Sequence, residues 1–275
     1  MATLSAALEF VSATDPGRVR SHNEDSIGTD TEIGLAILAD GMGGYNAGEV
    51  ASGIAVAVVS SETKRVLSGR RLTDVDPATG LTEAEQIAKA SSTKANMSIF
   101  EAARSQPQYS GMGTTLVVAL FFDNRICVAH VGDSRLYRMR GDSFEQISRD
   151  HSLLQEQIDS GMITKEAAKL SQNKNLVTRA LGIDSEVDTE VHVYDTKLGD
   201  IYLLCSDGLS DMVEDEDMQL TLSSLQTNLQ LAADQLVQQA NDNGGRDNIS
   251  VILVKVKDDY AAPKGWWARL LSWFK

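Results

Sequence analysis

Four aspartates stand where strand sequences normally avoid charge. Asp40 closes the apolar run IGLAILA and opens Asp40-Gly41-Met42-Gly43-Gly44, and Asp207 closes IYLLCS and precedes Gly208. Asp133 follows His130-Val131-Gly132, and Asp247 lies in GGRDN just ahead of the last apolar run. Taken singly, each reads as a turn aspartate that bonds its own backbone. Together, four strand-end carboxylates could converge at one end of a sheet sandwich, where they would repel unless a cation offset them. Oxygen ligands alone favour a hard metal, Mg²⁺ or Mn²⁺, and no Cys/His cluster has zinc spacing. Gly41, lacking a Cβ, would let its carbonyl approach such a metal.

A second element, Asp15 to Asp25, reads DPGRVRSHNED and carries Arg18 and Arg20. An arginine beside an acidic metal cluster presents a planar fork of donors to phosphate; the plainer reading is two surface cations. Two metals with an arginine at the rim point to metal-assisted hydrolysis of a phosphate ester. His130 and His192, in strand-like stretches, read as structural. His151 belongs to a polar segment, and no histidine has metal-ligand spacing to another. Cys127 and Cys205, both in apolar runs, read as core filler rather than a bridge.

The elements that must position these residues follow from periodicity. Leu8–Ala13 and Ile33–Ala39 read as strands, with polar sequence between them ending at Asp25, and a helix is expected from Ala47 to Leu67. Thr82 and Glu85 have capping-box spacing at the start of a second helix that runs to about Arg104. TTLVVALFF, the Asp123-Asn124 turn, RICVAHV, SRLYRMR and SFEQIS predict a β-meander. Residues 150–182 are polar, with a helical signal at Thr164–Leu170. Strands resume at Glu190–Tyr194 and Asp200–Cys205, and a helix over Leu229–Ala240 precedes a last strand, Ile249–Lys257. This order predicts α+β layering, with antiparallel sheets inside and helices outside.

Composition narrows the function. Lys and Arg total 25 against 39 Asp and Glu, a net charge of -14 over 275 residues, which argues against nucleic acid as a partner. Hydrophobic residues make up 42% and charged residues 23%, a balance suited to a folded domain. The apolar run Leu116–Phe122 is far shorter than the ~18 residues of a membrane span. MATLSAALEF lacks the basic start of a secretory signal, so a cytoplasmic protein is expected.

The candidate residues fall in eight ordered motifs: DPGRVRSHNED, DGMGG, GMGTT, VGDSRLY, SRDHS, TRALG, CSDGL and GGRDNIS. In this order, over residues 8–257, the chain resembles the metal-dependent protein phosphatases of the PP2C (PPM) type, particularly the compact bacterial serine/threonine phosphatases. The resemblance implies a PP2C-like β-sandwich of two antiparallel sheets flanked by α-helices, four layers in the order αββα, with metals at one end. By motif, Asp40 would bridge two divalent cations, Mn²⁺ or Mg²⁺. Asp207 and Asp247 would complete one metal's ligands, and Glu24 and the Gly41 carbonyl would serve the other. Asp25 matches the position that orients metal-bound water. Arg20 matches the phosphate-binding arginine, and Arg18 matches no such role. Asp133, with Asp207, matches a third, weaker metal site of bacterial members, and residues 150–182 resemble the flap beside the active site.

Met42 occupies the place where many eukaryotic members have a histidine that protonates the leaving oxygen. That task would pass to water or another residue, His22 being a candidate. The implied reaction is hydrolysis of phosphoserine and phosphothreonine in proteins by a metal-bridging hydroxide, without a phospho-enzyme, opposing a cognate cytoplasmic Ser/Thr kinase. A two-metal phosphodiesterase would need a basic groove that the charge argues against. A catalytically silent binding module of the same fold would normally have lost ligands, yet every matched position is present.

Residues 1–258 are expected to form one phosphatase domain and 259–275 a tail. All three tryptophans, Trp266, Trp267 and Trp273, lie in the last ten positions, beside Lys264, Arg269 and Lys275. On a helix, the aromatic and leucine residues would form one face opposite Arg269, Ser272 and Lys275. Residues 264–275 would then dock on the chain's own domain, a partner or a membrane surface. Nothing in the sequence demands more than a monomer.

Overall fold

The computed structural model describes residues 3–44, 47–67, 70–164, 167–168 and 176–262. After a short helix, α1 (Leu4–Ala7), two sheets face each other. In the first, β1 (Leu8–Asp15), β11 (Ile249–Val256), β10 (Ile201–Cys205), β7 (Arg135–Arg140) and β8 (Ser143–Gln146) lie side by side in that order. In the second the order is β2 (Asp25–Asp30), β3 (Leu35–Met42), β5 (Leu116–Phe122), β6 (Arg125–Val131) and β9 (Glu190–Asp195), with β4 (Gly113–Thr114) paired to the end of β3. Every pairing is antiparallel.

Alternate side chains of each strand serve different cores, because strand side chains point to opposite faces. Ala36, Leu38, Val117, Ala119 and Phe121 of the second sheet meet Leu136, Tyr202, Leu204, Ile252 and Val254 of the first. Leu35, Ile37, Leu116 and Leu120 turn outward onto α2 (Ala47–Leu67) and α3 (Glu83–Ser105). The outer face of the first sheet packs on α5 (Asp207–Ser210), α6 (Asp215–Ser224) and α7 (Leu229–Asp242). Both faces of the central strands are therefore buried, which explains why LVVALFF is continuously apolar rather than alternating. The layers are αββα, as expected.

Local signals explain the boundaries. Thr82 Oγ1 accepts from Glu85 N and the Glu85 carboxylate accepts from Thr82 N, the capping box that starts α3. Asp123 and Asn124 take φ of 45° and 55°, the two-residue hairpin conformation that joins β5 to β6.

The predicted meander is corrected. β5 and β6 belong to the second sheet, but β7 and β8 belong to the first, and the chain crosses between them at Gly132-Asp133-Ser134. Gly132 has φ +105°, and a Cβ there would meet the Thr115 side chain at 2.7 Å. Periodicity could not show the crossing, because strands buried on both faces carry the same pattern in either sheet. β2 was also missed, since its sequence DSIGTD is polar and half-buried. Two short helices, α5 and α6, were not anticipated. The helical signal at Thr164–Leu170 falls largely outside the described residues, of which Ala167 and Ala168 are helical; α4 covers Leu153–Asp159. The tail from residue 263 onward also lies outside them.

Candidate active site

The strand-end carboxylates lie at one end of the sandwich. Asp25, first in β2, pairs directly with Asp40 near the end of β3. Asp207 opens α5 as the chain leaves β10, and Asp247 lies just before β11, the neighbour of β10 in the sheet. Antiparallel pairing brings strand starts beside strand ends, so residues over 200 positions apart meet.

Backbone contacts hold each group in place. Asp40 N donates to Thr115 Oγ1 at 3.0 Å, and its carbonyl accepts from Thr115 N at 2.9 Å and Thr114 Oγ1 at 2.8 Å. Gly41 N donates to the Glu24 carbonyl at 3.2 Å. A Cβ on Gly41 would stand 2.2 Å from the Gly48 carbonyl oxygen, so this glycine is required by the close approach of α2. A Cβ on Gly208 would stand 2.0 Å from the Asn248 carbonyl, which makes Asp207-Gly208 equally specific.

Asn248 is the organiser that sequence reasoning passed over. Its Oδ1 accepts from Glu24 N at 2.8 Å, and its Nδ2 donates to the carbonyls of His22 at 2.9 Å and Pro16 at 3.0 Å. One amide thus ties the segment bearing Arg20 and Glu24 to the residue after Asp247. The signal was present in GGRDN, where only the aspartate was singled out. Ser206 was missed as well: its hydroxyl donates to Asp25 Oδ2 at 2.9 Å and accepts from Ser250 N at 2.9 Å.

The charge is concentrated and poorly solvated. Desolvation, then repulsion from Asp25, Asp207, Asp133 and Asp247, drives the Asp40 carboxyl well above the usual range. Burial followed by Asp133, Asp211 and Asp247 does the same to Asp207. Asp25 is pushed up to about 7, chiefly by burial, although Ser250 and Ser206 oppose the shift. Burial also raises Glu24, and raises Asp133 to about 6. Asp25 Oδ1 is buried with no hydrogen-bond partner among the described residues. An orphaned carboxylate oxygen amid mutually repelling acids is the environment that a hard divalent cation fits.

Asp133 and Asp207 share a small polar cleft with Asp150, Asp211 and Arg135. Arg135 was not anticipated. Its guanidinium forks onto Asp150 at 2.8 to 3.1 Å and moderates the shift of Asp133. At the rim, Arg20 Nη2 donates to Asp247 Oδ2 at 2.7 Å, and the Arg20 side chain stays half exposed. Arg18 is exposed and its backbone N–H bonds Gly245. His22 is exposed, and Met42 is half-buried opposite Gly113.

The fold brings together histidines that have no metal-ligand spacing in the sequence. His130, His151 and Glu190 do have metal-ligand proximity, their donor atoms lying within 4.8 Å of one another. Sequence spacing hid this because the group forms through the β6–β9 register, in which His130 faces Glu190.

The sequence pattern of the protein phosphatase 2C family matches residues 17–249, which include all eight candidate positions, Arg20, Glu24, Asp25, Asp40, Gly41, Asp133, Asp207 and Asp247. The chain belongs to the protein phosphatase 2C family. As a member it is an enzyme, a protein phosphatase of the metal-dependent serine/threonine type. Relatives include the serine/threonine phosphatase Stp of Listeria innocua, 39% identical over 248 residues, covering 88% of this chain and 93% of that protein. The phosphatase PstP of Mycobacterium tuberculosis is 38% identical over 262 residues, covering 94% of this chain and 47% of that protein. A crystal structure of the PstP catalytic domain in complex with two manganese ions superposes with TM-score 0.79 at 35% identity, over 91% of this chain and 99% of that one.

Proposed function

We propose that this chain hydrolyses phosphoserine and phosphothreonine in cytoplasmic proteins, with Mn²⁺ or Mg²⁺, and opposes a serine/threonine kinase. The observation that carries this reading is the buried convergence of Asp25, Asp40 and Asp207, whose mutual repulsion calls for cations, with Arg20 at the open rim.

Asp40 would hold both cations, Asp207 and Asp247 one of them, and Glu24 with the Gly41 carbonyl the other. A third, weaker cation would sit between Asp133 and Asp207. When bound, the pair of cations supplies an activated water and offsets charge on the phosphoryl group. Asp25 Oδ1, without a hydrogen-bond partner among the described residues, would accept a hydrogen bond from the attacking water and align it. Arg20, steadied by Asp247, turns its remaining donors to the phosphate oxygens. Met42 cannot donate a proton, so water or another residue, His22 being the candidate, would protonate the leaving oxygen. No side chain serves as nucleophile, so trapping a phosphorylated enzyme during turnover would contradict this route.

The segment 150–182 would flank the cleft as a flap. Residues 264–275 would attach the monomeric enzyme to a membrane surface or a partner; among the described residues, no helix is long and apolar enough to cross a membrane. The reading is tested with Asp40→Asn. Mn²⁺-dependent phosphate release from a phosphothreonine peptide should fall by at least about 100-fold while the fold persists by circular dichroism. A wild-type protein inactive with Mn²⁺ present would defeat it.

A further inference from the structure

The end of β6 buries an imidazole, that of His130. His130 is 2% exposed, and neither of its ring nitrogens has a partner among the described residues. Leaving such a group unpaired costs about 1–3 kcal/mol. The His130 ring lies 4.6 Å from the ring of His151, centroid to centroid. His151 Nε2 lies 3.3 Å from Glu190 Oε2, and the other Glu190 oxygen lies 2.8 Å from His192 Nε2.

We propose that His130, His151 and Glu190 bind a borderline divalent cation, Zn²⁺ being the best fit, at a site separate from the carboxylate centre. Two imidazoles and one carboxylate form a donor set suited to zinc and unlike the oxygen-only set around Asp40. Zinc–nitrogen bonds of about 2.0–2.1 Å place tetrahedral donors roughly 3.3 Å apart, so modest side-chain rotation closes the present group around an ion. His192 or water would supply the fourth ligand. The Glu190 side chain is 35% exposed and provides the way in, while the two imidazoles form the floor.

The protonation states suit ligation. Burial, then the neighbouring His151, pushes His130 down to about 4, and burial lowers His151. Glu190, despite desolvation, is held below the usual range by its bonds to His192 and His151. At neutral pH the two imidazoles and the carboxylate therefore offer lone pairs.

Occupancy has a mechanical consequence. Gly132 N donates to His151 Nδ1 at 3.1 Å, so the proton of this neutral ring sits on Nε2, towards Glu190. Ligation through Nε2 moves that proton to Nδ1, where it faces the Gly132 N–H and ends the bond.

The test uses full-length protein loaded with Mn²⁺, to which one equivalent of Zn²⁺ is added. X-ray absorption at the zinc edge should show imidazole scattering from at least two rings. Glu190→Gln and His130→Leu should each weaken zinc binding by more than about 100-fold against a chromophoric chelator, beyond the loss typical of outer-sphere partners. Both should keep Mn²⁺-dependent phosphopeptide turnover when zinc is absent. If His130→Leu fails to fold, Glu190→Gln carries the test, since it keeps the side chain's shape. A zinc spectrum of oxygen donors alone, or unchanged zinc affinity in Glu190→Gln, would overturn the proposal.

Discussion

Arg18 and Arg20 lie two positions apart in the same exposed segment, yet only Arg20 reaches a carboxylate of the centre. Its bond to Asp247 uses Nη2, and the side chain stays half exposed. Removing a charge-assisted contact of this kind loses about 1.5–3 kcal/mol, equivalent to roughly 10- to 100-fold. Arg20→Ala should therefore lower kcat/KM for a phosphopeptide by that factor, mostly through KM, whereas Arg18→Ala should change it less than about threefold. Arg20→Lys should restore little, because an ammonium lacks the planar fork. Equal losses at the two positions in steady-state kinetics would contradict the assignment of Arg20 to phosphate.

At the scale of elements, the site depends on ends of strands and helices rather than on their middles. α2 meets β3 through paired glycines: a Cβ on Gly48 would come 2.7 Å from the Gly41 carbonyl carbon and 2.9 Å from the Glu24 carboxyl carbon. The helix therefore acts as a wall that fixes both the Gly41 carbonyl and Glu24. α3 packs against α2 and the outer face of the sheet, away from the carboxylates. Its capping box should contribute to stability without touching chemistry. Thr82→Ala should destabilise the protein by about 1 kcal/mol, lowering Tm by about 2–4 °C, with kcat/KM unchanged. A loss of activity in folded Thr82→Ala protein would show that α3 communicates with the site.

For the whole molecule, the carboxylate centre links metal, pH and stability. Asp25 at about 7 and Asp133 at about 6, together with raised Asp40, Asp207 and Glu24, keep protons in the folded state that the unfolded chain releases near pH 4. The native state thus binds more protons, and stability of metal-free protein falls as pH rises from about 4 to 7. With EDTA, Tm should be lower at pH 8 than at pH 5.5, and Mn²⁺ should raise it most at pH 8. A flat metal-free profile would mean that the carboxylates are already neutralised some other way. The charge distribution also separates the tail from catalysis. The body through Tyr260 carries -17, against +3 in the remaining residues. Ala262 N bonds Asp123 at the β5–β6 turn, the end of the sandwich opposite the carboxylates. Truncation after Ala262 should leave phosphopeptide kcat/KM unchanged while abolishing co-sedimentation with anionic liposomes; if neither full-length nor truncated protein sediments, the membrane role is removed.

Much of this was legible in the chain because it is local chemistry. Strand-end aspartates, the DGMGG turn, the capping box at Thr82 and the Asp123-Asn124 hairpin depend on residues a few positions apart, and their side chains advertise them. Asp40, Asp133, Asp207 and Asp247 could be singled out because a charge bordering an apolar run is conspicuous, whereas Asp25, in a polar stretch, was reached only through the resemblance. What the sequence left undetermined were relations between distant segments. The switch of β7 to the opposite sheet, the amide of Asn248 joining Pro16, His22 and Glu24, the wall of α2 behind Gly41, and the meeting of His130 with His151 and Glu190 leave no local periodicity. Each is set by which strands pair and in what register, and antiparallel pairing can bring any two strand ends together. Local propensity selected the elements, and only tertiary packing decided which of their ends would share one cation-seeking pocket.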